Sequence, residues 1–544
     1  MIRGIDLRGA VALNAITMIG IGPLITIPLV VANLHGSIAL WAWIVGAAIA
    51  CCDGLVYAEL GSLYPGSGGT YVFLREAFGS RRYGRFFAFL FAWQFVISTP
   101  LLLASGYIGF AHYAGYFWSP LANDTRLQGI VAAGIGIVTL VLLYRPIRVI
   151  GAIGVALAGI AVATLGSLVV AGLAGGSAAQ ALTGDAKTPL VAALLGGLGP
   201  SLVIALYDYM GYGQATTVGD EIRDPARTLP RSILISVLGV AVLYVATQLG
   251  VLAVIPWHEF VPATPDGPPP ALANYVASSV VERVWGTWPA RVVTVAVLIT
   301  AFASTYGNLL GASRVPYAAA RDGVFFRPFA RLSERGSFPN VSLVVLGLIA
   351  LPACFLSLGD AINALTAGLV IVQSIAQIGA LVALRARGTR APYRMWLYPL
   401  PALVALGGWI AIFYASGAKA IAFGLVSLAV GVIAFATCEG MAVRSQRRGC
   451  ARALLVRRCL LRGTSGRRTR CDVGSRGHRT SLDRPRVRSG RTPVFSLRGC
   501  VLLRSVTARR MAEFDAATPR DGNQHTRLVR PVELARALRW RFRF

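Results

Sequence analysis

Long apolar runs, separated by short clusters of arginine, glycine and proline, dominate the pattern of this chain. A helix needs about 20 mainly apolar residues to cross a bilayer. Twelve segments have that character: about 10–33, 38–58, 86–112, 128–144, 149–174, 190–214, 232–255, 290–319, 341–358, 361–384, 396–415 and 419–438. The first follows the basic N-terminus MIRGIDLRGA, as a signal peptide would. It runs on too far and lacks a small-residue cleavage site, so it reads as the first membrane helix.

The cations between the segments form an independent pattern. One alternate set of connections holds Arg3, Arg8, Arg75, Arg81, Arg82, Arg85, Arg145, Arg148, Arg223, Arg227, Arg231, Arg314, Arg321, Arg327, Arg331, Arg335, Arg385, Arg387, Arg390 and Arg394. The other set holds only Arg126, Lys187, Arg283, Arg291 and Lys419. Positive charge gathers on the cytoplasmic side of membrane proteins. The N-terminus is therefore expected inside a cell membrane that the chain crosses many times. Adding or dropping one span would scramble this separation. The connection 256–289 then falls outside, with Trp257, Trp285 and Trp288 suited to an interfacial belt.

Composition agrees and adds one division. Of the 544 residues, 55% are apolar and 14% charged, too little charge to cover a soluble protein of this size. The mean hydropathy is +0.63. The net charge of +29 is unevenly placed: from Arg444 onward there are 27 arginines, no lysine and 6 acidic residues, a net +21, leaving +8 for the rest. The tail 441–544 has no run long enough to span a membrane and no regular period, so it is expected to be disordered. Its composition reads as a shifted reading frame of GC-rich DNA, or else as a basic segment for anionic lipid. No nucleic-acid module or regular basic stripe is visible. The cysteines, Cys51, Cys52, Cys354 and Cys438 in apolar stretches and Cys450, Cys459, Cys471 and Cys500 in the tail, form no CxxC and suggest neither a metal nor a redox site.

Candidate chemistry sits inside the spans. The first contains Met18-Ile19-Gly20-Ile21-Gly22-Pro23 and the sixth contains Tyr209-Met210-Gly211-Tyr212-Gly213. Two Gly-x-Gly elements thus occupy matching places five spans apart, the mark of an inverted repeat with two broken helices. Glycine tolerates unwound backbone, and Pro23 removes a donor. The freed N–H and C=O groups cannot face lipid, so they must face a cavity. Helix N-termini favour a carboxylate, and exposed carbonyls favour an ammonium or a small cation. The same glycines would also serve close helix packing.

Asp208, between Tyr207 and Tyr209, is the sharpest single residue, because an acid within the membrane is costly and usually functional. Asp53 and Glu59 read as structural or interfacial. Gln94, Ser98 and Thr99 of the third span, Thr300, Ser304, Thr305 and Asn308 of the eighth, and Gln373, Ser374 and Gln377 of the tenth are interhelical hydrogen bonders that as a set would line a cavity.

Three stretches resemble the amino acid–polyamine–organocation (APC) superfamily. Asp220 to Arg231, with Glu221, Arg223, Pro225, Arg227 and Pro230, is similar to its loop after the sixth helix. Ala58-Glu59-Leu60 through Pro65, Gly68, Gly69 and Tyr71 resembles its segment after the second helix, and Arg314 with Ala320-Arg321-Asp322-Gly323 its stretch after the eighth. The resemblance covers about residues 8–440, and the Ala215–Glu221 run is closest in character to the polyamine and L-type branches. It implies an all-α membrane protein of about twelve spans with a LeuT-like 5+5 inverted repeat and broken helices one and six. The implied layout is a cytoplasmic segment 1–9 and a permease domain 10–440, with repeats at about 10–174 and 190–384 and extra helices at about 396–438.

The resemblance also implies substrate held at Ile19, Gly20, Ile21, Gly22 and Pro23 and at Tyr207, Asp208, Tyr209, Met210 and Gly211. Thr99, Asn308 and Gln377 would complete the pocket. Asp208, Ser304, Thr305, Glu221 and Arg223 are candidates for coupling or gating. Two departures matter. Many members have alanine, serine or asparagine where this chain has Asp208, and the lysine that some carry in the fifth helix is missing.

These readings converge on a secondary transporter of an amino acid, cationic ones included, with proton coupling expected and sodium as the alternative ion. A polyamine carrier is the alternative substrate class, although it would call for more acids in the membrane. A channel would show a filter loop, and an enzyme a catalytic cluster. Neither is visible: His35, His112 and His258 lie at outer ends or loops, and His478 and His525 in the tail. No cofactor, metal or nucleic-acid partner is expected, only the bilayer and a small solute.

Overall fold

The computed structural model describes residues 5–437 except Ser67, Asp220, 80–82, 144–149, 186–189, 263–269 and 333–338. The tail, with the disorder expected of it, lies outside the described residues.

Helix α1 (Leu7–Met18) starts where Asp6 accepts a hydrogen bond from the Gly9 amide at 2.9 Å, a side-chain cap for an otherwise orphan donor. It stops at Ile19, whose ψ of 67° leaves the helical region. The chain resumes as α2 (Gly22–Leu34), with Pro23 in the first turn, where its missing N–H costs nothing. There follow α3 (Leu40–Leu63), a short α4 (Thr70–Ala77), α5 (Tyr83–Ala114), α6 (Ser119–Asn123), α7 (Thr125–Leu143), α8 (Ile150–Gly175), α9 (Ala178–Ala181) and α10 (Leu190–Tyr209).

A second interruption runs from Met210 to Gly213, and only a 3₁₀ turn, Gln214–Thr217, comes after it. Helix α11 (Pro225–Val254) is next, then α12 (Val276–Trp285), α13 (Thr287–Ala312), α14 (Arg314–Arg321) and α15 (Asn340–Ala353). Helices α16 (Leu358–Leu369) and α17 (Ala376–Ala386) are joined by a π-helical turn, Val370–Ile375. Helices α18 (Leu400–Ala415) and α19 (Ala418–Thr437) complete the described chain.

Among the described residues there is no strand, only isolated bridges at Ile5–Ile222 and Gly36–Gly184. Among the described residues, seven helices are long and apolar enough to cross a membrane, and four shorter apolar helices accompany them. The outward faces carry side chains that water would not tolerate in such number: Val242 is 71% exposed, Leu173 84% and Ile433 63%. The all-α membrane architecture expected from the apolar pattern is the one observed.

Each of the twelve expected segments contains a helix. The sixth differs in extent: the helix ends at Tyr209, because Gly211 adopts a φ of +140° that few residues other than glycine accept. The order of elements repeats. A broken helix, a long helix, a short amphipathic helix and another long helix occur as α1/α2, α3, α4, α5 and again from α10 through α11, α12 and α13.

Behind the two breaks the core is aromatic. Trp43, Tyr209 and Tyr244 are buried, with ring centroids 5.1–6.4 Å apart in edge-on or tilted pairs. The Trp43 indole donates to Gln248, and the Tyr209 hydroxyl donates to the Trp43 carbonyl at 3.2 Å. Helices α3, α10 and α11 are thereby fixed together as the wall on which both breaks rest.

Candidate functional site at the paired helix breaks

The two interruptions meet. Gly211 lies so close to the end of α1 that a Cβ built on it would reach the Thr17 carbonyl carbon at 3.0 Å and the Met18 amide at 3.1 Å. The Tyr244 hydroxyl, on α11, points at both broken ends: Met18 O is 2.8 Å away and Asp208 O 3.3 Å. A helix end leaves carbonyls without an intrahelical donor, and in a membrane such groups must be met from elsewhere. One buried hydroxyl serves the ends of α1 and α10 together.

Asp208 is 3% exposed. Its Oδ2 accepts a hydrogen bond from Thr26 at 2.5 Å, while its Oδ1 has no partner among the described residues. The carboxylate presses on the first turn of α2, where a Cβ on Gly22 would collide with Oδ1. Glycine is required here by close approach rather than by its own dihedral angles. Tyr207, on the same turn, exchanges a 2.7 Å hydrogen bond with Ser105 of α5.

On the other side of the first break stands α13. A Cβ on Gly20 would meet Ser304 Oγ at 2.9 Å. Asn308 Nδ2 lies 3.5 Å from that Oγ, at the outer limit of a hydrogen bond. Ser304, Gly307, Asn308 and Gly311 share one face of α13 by helical spacing. That face has room beside it. Gly307 is exposed, a Cβ there would meet nothing within 4 Å, and the nearest atom to one on Gly311 is Gln214 Nε2 at 3.8 Å. Ser304, Asn308, Met210 and Gly211 are half-buried, so the breaks border a groove rather than a sealed core.

The groove's far end is covered. The Tyr113 hydroxyl donates to Leu24 O at 3.0 Å and accepts from the Ala277 amide at 3.2 Å, which ties α5, α2 and α12 together. A Cβ on Gly109 would meet Ile21 and Ile25. At the other end, where α1 begins, the chain is joined as well. There Ile5 N donates to Glu221 O at 3.1 Å and Arg223 N donates to Ile5 O at 2.9 Å, joining the N-terminal segment to the loop after the sixth span.

The expected site residues divide accordingly. Ile19, Gly20, Ile21, Gly22, Pro23, Tyr207, Asp208, Tyr209, Met210 and Gly211 gather at the breaks, with Ser304 and Asn308 facing them. Tyr209 turns its ring away, into the aromatic wall. Thr305 turns toward α5, where its methyl packs against Gly106, and its hydroxyl bonds the carbonyls of Ala301 and Phe302. Gln377 is held by Thr70 at 2.6 Å, in a polar cluster with Tyr57 and Gln373. Thr99 is buried on α5. Glu221 and Arg223 stand at the loop that grips Ile5.

Two further contacts at this site had no local signal in the sequence. The Asn14 side chain accepts from the Ala215 amide at 2.8 Å, across both breaks. The Tyr212 hydroxyl donates to Asp53 at 2.5 Å. Among the described residues no three His, Cys, Asp or Glu side chains come together as a metal site would require.

The breaks bring together two helix ends, one carboxylate and several hydroxyls. The chain is 28% identical over 437 residues to an uncharacterised transporter of Mycobacterium tuberculosis, covering 80% of this chain and 90% of that one. It is 26% identical over 427 residues to the serine/threonine exchanger SteT of Bacillus subtilis, covering 75% and 89%. It is 25% identical over 361 residues to the vacuolar cationic amino acid transporter 4 of Arabidopsis thaliana, covering 63% and 57%. A family model described as amino acid permease matches residues 8–437. The chain belongs to the amino acid permease family of the APC superfamily, and it is a membrane transporter, not an enzyme.

Proposed function

We propose that this protein carries an amino acid, cationic ones included, across the cell membrane by alternating access, with the substrate held where the two breaks meet and its movement coupled to protons. One observation carries this reading: two unwound helix ends meet beside a buried carboxylate that has one oxygen without a partner among the described residues. Substrate carboxylate is drawn to the start of α2, where helix N–H groups lack intrahelical acceptors. Substrate ammonium is drawn to the carbonyls freed around Ile19 and Tyr207. Asp208 answers a cationic side chain or carries the coupling proton.

The distribution of arginine favours an N-terminus in the cytoplasm, in which case the Tyr113 contacts lie on the outer side of the site. The named activities of relatives, a serine/threonine exchanger and cationic amino acid transporters, support the amino acid class. A polyamine lacks the carboxylate that the start of α2 attracts.

Uptake into proteoliposomes tests the proposal. Radiolabelled L-serine, L-leucine, L-arginine and putrescine are compared with and without an imposed proton gradient. Accumulation of an amino acid under the gradient is expected. Accumulation of putrescine alone would replace the amino acid reading with the polyamine one.

A further inference from the structure

A cavity of about 360 Å³ lies where α12 turns into α13, lined by Tyr116, Phe117, Glu282, Thr287 and Arg291. That volume falls among those of small-molecule sites, about 300–1,000 Å³. None of its lining residues belongs to the helix breaks. Gly286, with a φ of +88°, makes the corner between the two helices. Glu282 is fixed in place by two neutral donors: the Tyr116 hydroxyl to Oε2 at 2.9 Å and the Thr287 hydroxyl to Oε1 at 3.3 Å. Tyr116 is itself packed edge-on against Phe117 and Tyr275. Each carboxylate oxygen of Glu282 keeps a second lone pair for another donor.

Arg291 lines the same cavity, yet it forms no ion pair with Glu282 and no hydrogen bond among the described residues. Arg283, on the neighbouring helix, shows the contrast, because both of its terminal nitrogens are taken by Glu259. An acid and a base that face one cavity without touching leave a gap for a molecule that carries both charges. The flanking residues say which. Trp288 is 75% exposed and begins a stripe with Val292, Val295 and Ile299, all exposed and at helical spacing on α13. Such a face meets lipid. Trp118 and Trp285, adjacent to this lining in sequence, are exposed as well, and aromatic rings of this kind gather where bilayer meets water. The cavity therefore sits at the level of the headgroups. A solute from the water has no use for the apolar stripe, whereas a phospholipid does.

We infer that this corner binds one phospholipid whose headgroup carries an ammonium as well as a phosphate. The phosphate lies on Arg291, whose planar fork matches two phosphate oxygens. The ammonium donates to the free lone pairs of Glu282, and the acyl chains follow the stripe from Trp288 to Ile299. A headgroup without a cation would leave Glu282 unanswered beside an anion. This site does not depend on what the protein carries.

Native mass spectrometry of the full chain, released from detergent, tests the inference. The probes are phosphatidylethanolamine and phosphatidylglycerol with the same acyl chains, and glycerophosphoethanolamine, which has the headgroup without the chains. In wild type the first phosphatidylethanolamine is expected to bind about tenfold tighter than phosphatidylglycerol, the worth of one charge-assisted hydrogen bond. Arg291→Gln should weaken it about tenfold. Glu282→Gln, which still accepts from Tyr116 or Thr287, should erase the preference, so that the two lipids bind alike. Arg126→Gln, at an exposed arginine outside the cavity, should change neither.

Three results would overturn the inference. One is a wild type without preference between the lipids, a readout that needs no variant. Another is a loss in Arg126→Gln equal to that in Arg291→Gln, the sign of diffuse attraction between surface charge and lipid. The last is glycerophosphoethanolamine binding as tightly as the lipid, which would assign the cavity to a soluble zwitterion.

Discussion

Changing Glu59 to glutamine strands a buried arginine. Glu59 ends α3, and its carboxylate accepts from Arg385 Nε at 2.8 Å, from Arg385 Nη2 at 2.5 Å and from the Met395 amide at 2.8 Å. The two side chains are 3% and 14% exposed, and the guanidinium also stacks over Tyr398 with 3.9 Å to the ring centroid. A bidentate pair so shielded from water differs from a surface salt bridge, for which about 0–1 kcal/mol would be expected. Removing one partner leaves the other charged and desolvated, at a cost of about 3–5 kcal/mol. Removing both leaves no stranded charge, so Glu59→Gln combined with Arg385→Gln is expected to be more stable than either single variant.

The assay is a double-mutant cycle: equilibrium unfolding of wild type, both single variants and the double variant in mixed micelles. A coupling of about 5–10 kcal/mol is expected, the two single-variant losses together less the small net worth of the pair. The pair matters because it ties α3 to α17 and to the connection before α18. A coupling below about 1 kcal/mol would refute the reasoning and return the pair to the surface class.

Three further outcomes are expected. Gly211→Ala places a Cβ against Thr17 and Met18 at a φ of +140°, strain of about 1–3 kcal/mol, so its uptake rate should fall about 5- to 150-fold while Gly239→Ala, in open space on α11, stays at wild-type level. Outside the membrane, the hydrogen bond from Arg283 holds the Glu259 carboxyl below its usual range. That contribution is whole above the ordinary glutamate pKa of about 4.3 and fades as pH falls through the depressed value. With the two side chains 41% and 32% exposed, Arg283→Gln should move stability by less than about 0.5 kcal/mol at pH 7, read as an unchanged unfolding midpoint. A chain ending at Gly440 keeps every residue of the family match and should take up substrate at the full-length rate in the proteoliposome assay.

What could be read from the sequence depended on whether the physics was local. Both breaks were legible, because Gly-x-Gly within an apolar run and Pro23 are local marks, although only Gly211 acts through its own backbone angle while Gly20 and Gly22 make room for Ser304 and Asp208. The membrane spans were legible because length and apolarity are properties of a segment. Helices α4 and α12 escaped the search for apolar runs, being short and amphipathic. The π-helical turn at Val370–Ile375 has no composition of its own to betray it.

Side-chain direction was harder. Ser304 and Thr305 are neighbours in sequence, yet a helix turns about 100° per residue, so one faces Gly20 and the other Gly106. Gln377 finds its partner at Thr70, 307 positions away, and no local pattern encodes that distance. The cost of an acid in lipid singles out Asp208 in the sequence. The contact of Asp208 with Gly22 is not legible there, because it depends on how two separate breaks are brought together by Tyr244 and the aromatic wall.

The central claim, that the substrate lies between the breaks and α13, is tested most directly at Ser304. A single cysteine at that position, Ser304→Cys, with the native cysteines replaced, is alkylated by a maleimide in proteoliposomes with and without the transported amino acid. Ser304 is half-buried beside Gly20, so the reagent should reach it, and substrate at ten times Kd should slow labelling about tenfold. Labelling at one rate with and without substrate, in protein that still accumulates that amino acid, would contradict the account.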